Sequence, residues 1–130
     1  MPWMYEQLTG DLYKDGRFVG TGYSGSGKHK EQGRNNPDMQ YVRQKGPICQ
    51  GSYRIGPAHT SPHVGPVAMN LEPLPGTDTH GRSAFLIHGD NKRNDASKGC
   101  VILARAIRQR IASSKDRTLV VVREHDSEVA

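Results

Sequence analysis

The 130-residue sequence predicts a mainly β fold carrying one short amphipathic helix. Three observations lead there. The chain holds 15 Gly and 8 Pro against only 34% hydrophobic and 6% aromatic residues, a balance that favours short strands joined by many turns over a helical bundle. Its apolar runs, at residues 84–88, 100–103 and 119–122, are of strand length and bounded by polar turns. Only one stretch, through Leu103, Ile107 and Ile111, keeps a helical period. The length reads as one domain over residues 1–130. A domain of this size buries roughly two-thirds of its unfolded surface, so it needs no disulfide or metal to fold.

Residues 3–7 alternate like a half-buried strand, and Thr9-Gly10 turns the chain into a second strand at 12–14. Asp15-Gly16 is a strong hairpin signal, because a type I′ turn needs positive φ at both central residues. Residues 18–23 are then the return strand. Residues 24–36 are polar, Gly-rich and basic, and read as a mobile loop. Gly25-Ser26-Gly27-Lys28 has a superficial likeness to a phosphate loop, with Gly22 at the right distance before it. His29 stands where Ser or Thr is required and no helix-forming run follows, so the motif is rejected. Turn material at 46–51 leads into a strand at 52–55. Pro57, Pro62 and Pro66 exclude helix from 59 to 66. A strand follows at 64–71 with Pro66 at its edge, then a loop from Glu72 to Arg82. Strands at 84–88 and 100–103 precede the helix, near residues 103–113, which places Arg105, Arg108 and Arg110 on the surface. Residues 119–122 form an unbroken apolar run suited to a central or well-covered strand. The polar tail from Glu124 is expected to fray.

The formal net charge is +5, about +3 before Pro66 and +2 after it. No basic block or aromatic-interleaved basic strand stands out, which argues against nucleic acid as a partner. The mild positive balance suits an anionic substrate. Two cysteines, Cys49 and Cys100, are too few for a disulfide framework, and Cys49 reads as a small buried residue. No run approaches the roughly 18 apolar residues of a membrane span, so membrane insertion is not expected. The N-terminus lacks the basic start and apolar core of a signal peptide, and the chain reads as made in the cytoplasm.

The chemistry concentrates in Phe85-Leu86-Ile87-His88-Gly89-Asp90-Asn91 and Ala96-Ser97-Lys98-Gly99-Cys100-Val101-Ile102-Leu103. A histidine ends one strand and a cysteine begins the next, the arrangement a thiol nucleophile and its base require. A free cysteine has a pKa near ~8.5, so only about 3% is thiolate at pH 7. Lowering that pKa to around 6 raises the thiolate to about 90%, a shift that His88 would produce with electrostatic help from Lys98. His88 needs an orienting acceptor, either the Gly89 carbonyl or the Asp90 carboxylate. Gly99 would let the N–H groups of Gly99 and Cys100 approach a developing oxyanion, and Ser97 would pin the loop to backbone. Taken alone, a Cys before Val-Ile-Leu is more often a buried strand residue, and Asp90 and Asn91 are ordinary turn formers.

The two strings together resemble the L,D-transpeptidase (YkuD-like) catalytic family, which carries an upstream His-Gly and a downstream Ser-His-Gly-Cys before apolar residues. Gly46-Pro47-Ile48-Cys49-Gln50-Gly51-Ser52-Tyr53-Arg54-Ile55-Gly56 resembles that family's strand entry. Trp3-x-Tyr5-x-Gln7-x-Thr9-Gly10-x-Leu12, Asn35-Asn36-Pro37 and Gly81-Arg82-Ser83 look like the compact type VI secretion L,D-transpeptidase effectors. The resemblance spans residues 3 to about 122. It implies a β-sandwich-like catalytic domain without cofactor or metal, acting on peptidoglycan tetrapeptide stems. The cysteine would attack the carbonyl of the third residue and expel D-Ala; water then gives L,D-carboxypeptidase activity and an amine gives transpeptidation or D-amino-acid exchange. It further implies an antibacterial toxin injected into a rival's periplasm and blocked by an immunity protein. Lys98, Arg82 and Asn91 are expected to bind substrate. Lys98 departs from the family's histidine, and the eleven residues between His88 and Cys100 make a shorter gap than in the larger enzymes. Two other readings stand beside this one. The first is a non-catalytic cell-wall binding module on a degenerate enzyme fold. The second is a metal-dependent hydrolase using His59, His63, His80 or His88 with Asp90, weakened because Pro62 breaks any helical His59/His63 pair.

Overall fold

The structure is a computed structural model and describes residues 1–125. Ten strands form around one core: β1 (Trp3–Glu6), β2 (Asp11–Lys14), β3 (Arg17–Thr21), β4 (Tyr23–Ser24), β5 (Gly51–Ile55), β6 (His59–Ser61), β7 (Gly65–Pro73), β8 (Phe85–His88), β9 (Val101–Ile102) and β10 (Thr118–Val122). One α-helix, α1 (Arg105–Ala112), lies between β9 and β10. The sheet order is β3-β2-β1-β10-β5-β7-β8-β9-β4, with β6 paired to β7. β3 and β4 occupy opposite ends of that order, yet only Gly22 separates them in the chain. The sheet therefore wraps until its ends nearly meet, giving the expected mainly β, sandwich-like architecture with a small helix.

The wrap explains why the return strand expected at 18–23 is broken. Gly22 N–H donates to Gly10 O at 2.8 Å, and a Cβ on Gly22 would lie 1.8 Å from Ile102 O. The backbones are too close for a side chain there, and the strand leaves β2 to pair with β9. The hairpin itself is as expected, with φ of 53° at Asp15 and 77° at Gly16. β10 lies between β1 and β5, so it is central. It buries Leu119 and Val121 and only half-buries Val120, so one face is better covered than the other.

Other boundaries move. β7 extends through Pro73, beyond the expected loop start at Glu72, because Tyr53 to Ile55 of β5 pair with Leu71 to Pro73. β6 emerges from the proline-rich stretch. Residues 24–36 include a short 3-10 turn (Lys30–Gln32), fastened by Ser26 N–H to Lys45 O at 2.8 Å. A second 3-10 turn, Pro37–Met39, is capped by the Asn36 side chain on Asp38 N–H. The expected frayed tail lies, beyond His125, outside the described residues.

The helix falls at its predicted place, but Arg108 is not on the surface. It is 8% exposed, with Nε donating to Leu103 O and Nη1 to Pro66 O. It lies 60° from Ile111 on the helical wheel and reaches inward to the Pro66 and Val67 carbonyls of β7. Arg117 closes the other end, donating to Ile111 O, Ala112 O and Gly56 O.

Candidate active site

β8 and β9 are parallel, with Ile87 opposite Val101 and His88 opposite Ile102. A parallel connection needs about a dozen residues, which is what lies between them. Ile87 and Val101 point into the core, 0% and 1% exposed. One step back in register, Cys100 stands beside Leu86. Side chains alternate across a strand, so Cys100 and His88 share the face opposite the core. Cys100 immediately precedes β9, and His88 ends the neighbouring strand β8.

His88 is 2% exposed, and its Nδ1 lies 2.8 Å from Gly89 O. A carbonyl can only accept, so Nδ1 carries the proton and Nε2 keeps its lone pair. The choice left open between Gly89 and Asp90 falls to the Gly89 carbonyl. Asp90 turns away and accepts from Tyr23 Oη at 2.6 Å and from Asn94 Nδ2. Burial pushes the His88 pKa below the usual 6.5, chiefly by desolvation. The guanidinium of Arg108 adds to this and packs against Gly89, where a Cβ would lie 2.7 Å from Nη2.

Cys100 is half-buried and its thiol is free. Its pKa is raised above the ordinary thiol value by burial, while the Leu86 backbone and Arg82 oppose the rise. Burial thus works against the expected thiolate and favours the neutral forms of thiol and imidazole. The rate of Cys100 alkylation by iodoacetamide is accordingly expected to keep climbing at pH 9, instead of reaching a plateau near pH 6. Peptide mass mapping at a series of pH values measures this. Cys49, fully buried with Sγ near Gln40 O, should stay unmodified.

Ser97 does pin the loop. Its Oγ donates to Cys100 O at 2.6 Å and accepts from Gly25 N–H and Gly99 N–H. That last bond corrects the expectation for Gly99, whose N–H points into the loop and not toward an oxyanion. Glycine is needed there for another reason: φ is 140°, and a Cβ would meet Arg82 Nη2 at 2.4 Å. Arg82 is also reassigned. Its terminal nitrogens are taken up by Gln40 O, Pro47 O, Gly46 O and Lys98 O, so it fastens two loops and is not free to bind substrate. Asn91 likewise folds its own loop, through Asp95 and Arg93 N–H. Lys98 is exposed beside the sulfur.

The residues the sequence did not reveal are those that hold the loop between base and thiol. Tyr23 Oη donates to Asp90 and accepts from Ala96 N–H at 2.8 Å, tying both ends of that loop. Arg34 stacks 3.5 Å from the Tyr23 ring centroid and donates to Asn94 twice. Burial and Asp90 push the Tyr23 pKa up to about 12, so it remains a donor throughout the physiological range. Tyr23→Phe is expected to cost about 1–2 kcal/mol, read as a fall of several degrees in Tm. Only tertiary pairing of β4 with β9 brings Tyr23 here, and no local pattern marks it.

The sulfur opens on a groove of about 400 Å³, bordered by Arg43, Arg82, Ser83, Ala84 and Lys98. A second cavity of about 230 Å³ lies at His88, with His63, Val64, Asp90 and Asn91. Among the described residues no group of three His, Cys, Asp or Glu could hold a metal ion, and no helix is long and apolar enough to cross a membrane. No curated protein matches the chain. A family model described as the Tlde1 domain matches residues 19–124, well over half of the length and inclusive of every site residue above. On that match the chain belongs to the Tlde1 domain family of type VI secretion effectors, with peptidoglycan-related activity.

Proposed function

We propose that the protein is a single-domain, cysteine-dependent L,D-carboxypeptidase and L,D-transpeptidase acting on peptidoglycan tetrapeptide stems, with Cys100 as nucleophile and His88 as general base. The observation that carries this reading is the shared face of Cys100 and His88, with the His88 lone pair on Nε2 and an open groove at the sulfur. The YkuD-like pattern of the two strings supports it.

A neutral resting pair sets the mechanism. As Sγ attacks the carbonyl of the third stem residue, the thiol proton passes to His88 Nε2. The developing imidazolium is stabilised by the Nδ1–H bond to Gly89 O. The Cys100 N–H would serve as a backbone donor to the oxyanion. Collapse breaks the peptide bond, and the leaving D-Ala amine takes the proton from His88. A thioester remains. Water, deprotonated by the same Nε2, yields the tripeptide; an amine acceptor yields a crosslink or an exchanged stem. Burial keeps His88 neutral at neutral pH and ready for both proton transfers.

As a toxin of this kind, the protein would act in the periplasm of a target cell, and an immunity protein would block it in the producer. The direct test incubates purified protein with tetrapeptide muropeptides and follows the products by mass. Loss of D-Ala, together with a transient acyl adduct on the Cys100 peptide, is expected. An unchanged muropeptide profile despite binding to sacculi would instead favour the non-catalytic binding module.

A further inference from the structure

The two cavities beside the Cys100–His88 pair differ in charge. The sulfur groove carries Arg43, Arg82 and Lys98, and among the described residues no Asp or Glu lines it. The His88 cavity holds Asp90 and no Lys or Arg. Within the sulfur groove the three cations are not equivalent. Arg82 is buried and its terminal nitrogens are bonded to backbone. Arg43 is exposed, with one long contact from Nη2 to Gly81 O at 3.4 Å. Lys98 is exposed, and among the described residues its Nζ has no hydrogen-bond or ion-pair partner. Arg82 bonds Gly46 O on the loop that carries Arg43 and Lys98 O itself, so one buried guanidinium anchors both arms.

We propose that Arg43 and Lys98 form a carboxylate-reading pair that selects acyl donors bearing a free carboxylate on one of the two residues joined by the scissile bond. The inference rests on the catalytic reading above and adds what the groove recognises. Two groups of a tetrapeptide stem meet the description. One is the terminal carboxylate of the leaving residue. The other is the side-chain carboxylate of a third residue that is a diamino diacid. Both present the planar oxygen pair that a guanidinium binds in two-pronged fashion, with an ammonium as second point charge.

The test uses three synthetic tetrapeptides: the parent, its C-terminal amide and its side-chain amide. Wild type, Arg43→Gln, Lys98→Gln and the double variant are assayed on each. Both positions are exposed, so the variants should keep the wild-type Tm. The double variant is expected to raise KM for the parent about tenfold, with a much smaller effect on kcat. The amide that already lacks the recognised carboxylate should show a high KM with wild type and no further rise, and this identifies the group read. Equal KM changes on all three peptides, or none on any, overturn the proposal. If wild type cleaves no peptide, the catalytic reading fails separately. Calorimetry with the Cys100→Ala protein then decides the pair by itself, and equal affinity for parent and both amides overturns it.

Discussion

Cys100→Ala is expected to abolish D-Ala release from tetrapeptide stems, a loss on the order of 10⁴-fold or more, with almost no change in stability. The sulfur is half-buried, and its contact to Ala84 O, at 3.9 Å, is too long to hold the fold together. Without it no thioester forms, and the neighbouring groups have no acyl intermediate to stabilise. His88→Asn separates the base from the scaffold. An Asn amide can still donate to Gly89 O, but it offers no lone pair comparable to Nε2. Turnover should fall by about 10²–10⁴-fold, the usual worth of a positioned general base. Alkylation of Cys100 above pH 9 should persist, because thiolate formed by bulk hydroxide no longer needs the imidazole. Muropeptide release and alkylation, measured on the same preparations, check both variants. Full turnover by Cys100→Ala would falsify the catalytic assignment.

Arg82→Met should produce the largest loss of stability, about 3–4 kcal/mol. Met fills the apolar volume beside Phe85 but supplies no donor. The carbonyls of Gln40, Gly46, Pro47 and Lys98 lose theirs at once, and water has poor access to them. For a domain of this length, Tm should drop by roughly 10–15 °C. Activity should fall as well, because the Lys98 carbonyl lies two residues from the nucleophile. Arg82→Lys is not expected to rescue, since one ammonium cannot reach carbonyls that diverge around a planar fork. Denaturant melts of the three proteins measure this. A Lys variant as stable as wild type would show that charge, and not the fork, is what the site needs.

Much of the fold was legible because its signals are local. Asp15-Gly16 requires positive φ whatever surrounds it. The alternation of Trp3 and Tyr5, and the Leu103–Ile107–Ile111 period, report which side faces a core without saying what the core is. The histidine and cysteine of the candidate site were legible for a similar reason: each stands at the end of an apolar run, where a strand gives way to a polar loop. The breaks were less visible. Gly22 ends a strand only because Ile102 O occupies the space where its side chain would be. Proline punctuation concealed β6.

Residue type and spacing by themselves determined the strand-rich class, the hairpin and the helix, while His88 and Cys100 were singled out as candidate base and nucleophile with the weight of a family resemblance. The tertiary structure alone decided what the polar groups do. It turned Asp90 toward Tyr23, turned Gly99 N–H toward Ser97, took up Arg82 on backbone carbonyls, drew Arg108 inside and buried the thiol enough to raise its pKa. The reason is physical: propensity and periodicity act through neighbours in sequence. Hydrogen-bond partners and desolvation depend on which distant carbonyls and carboxylates a fold brings within about 3 Å.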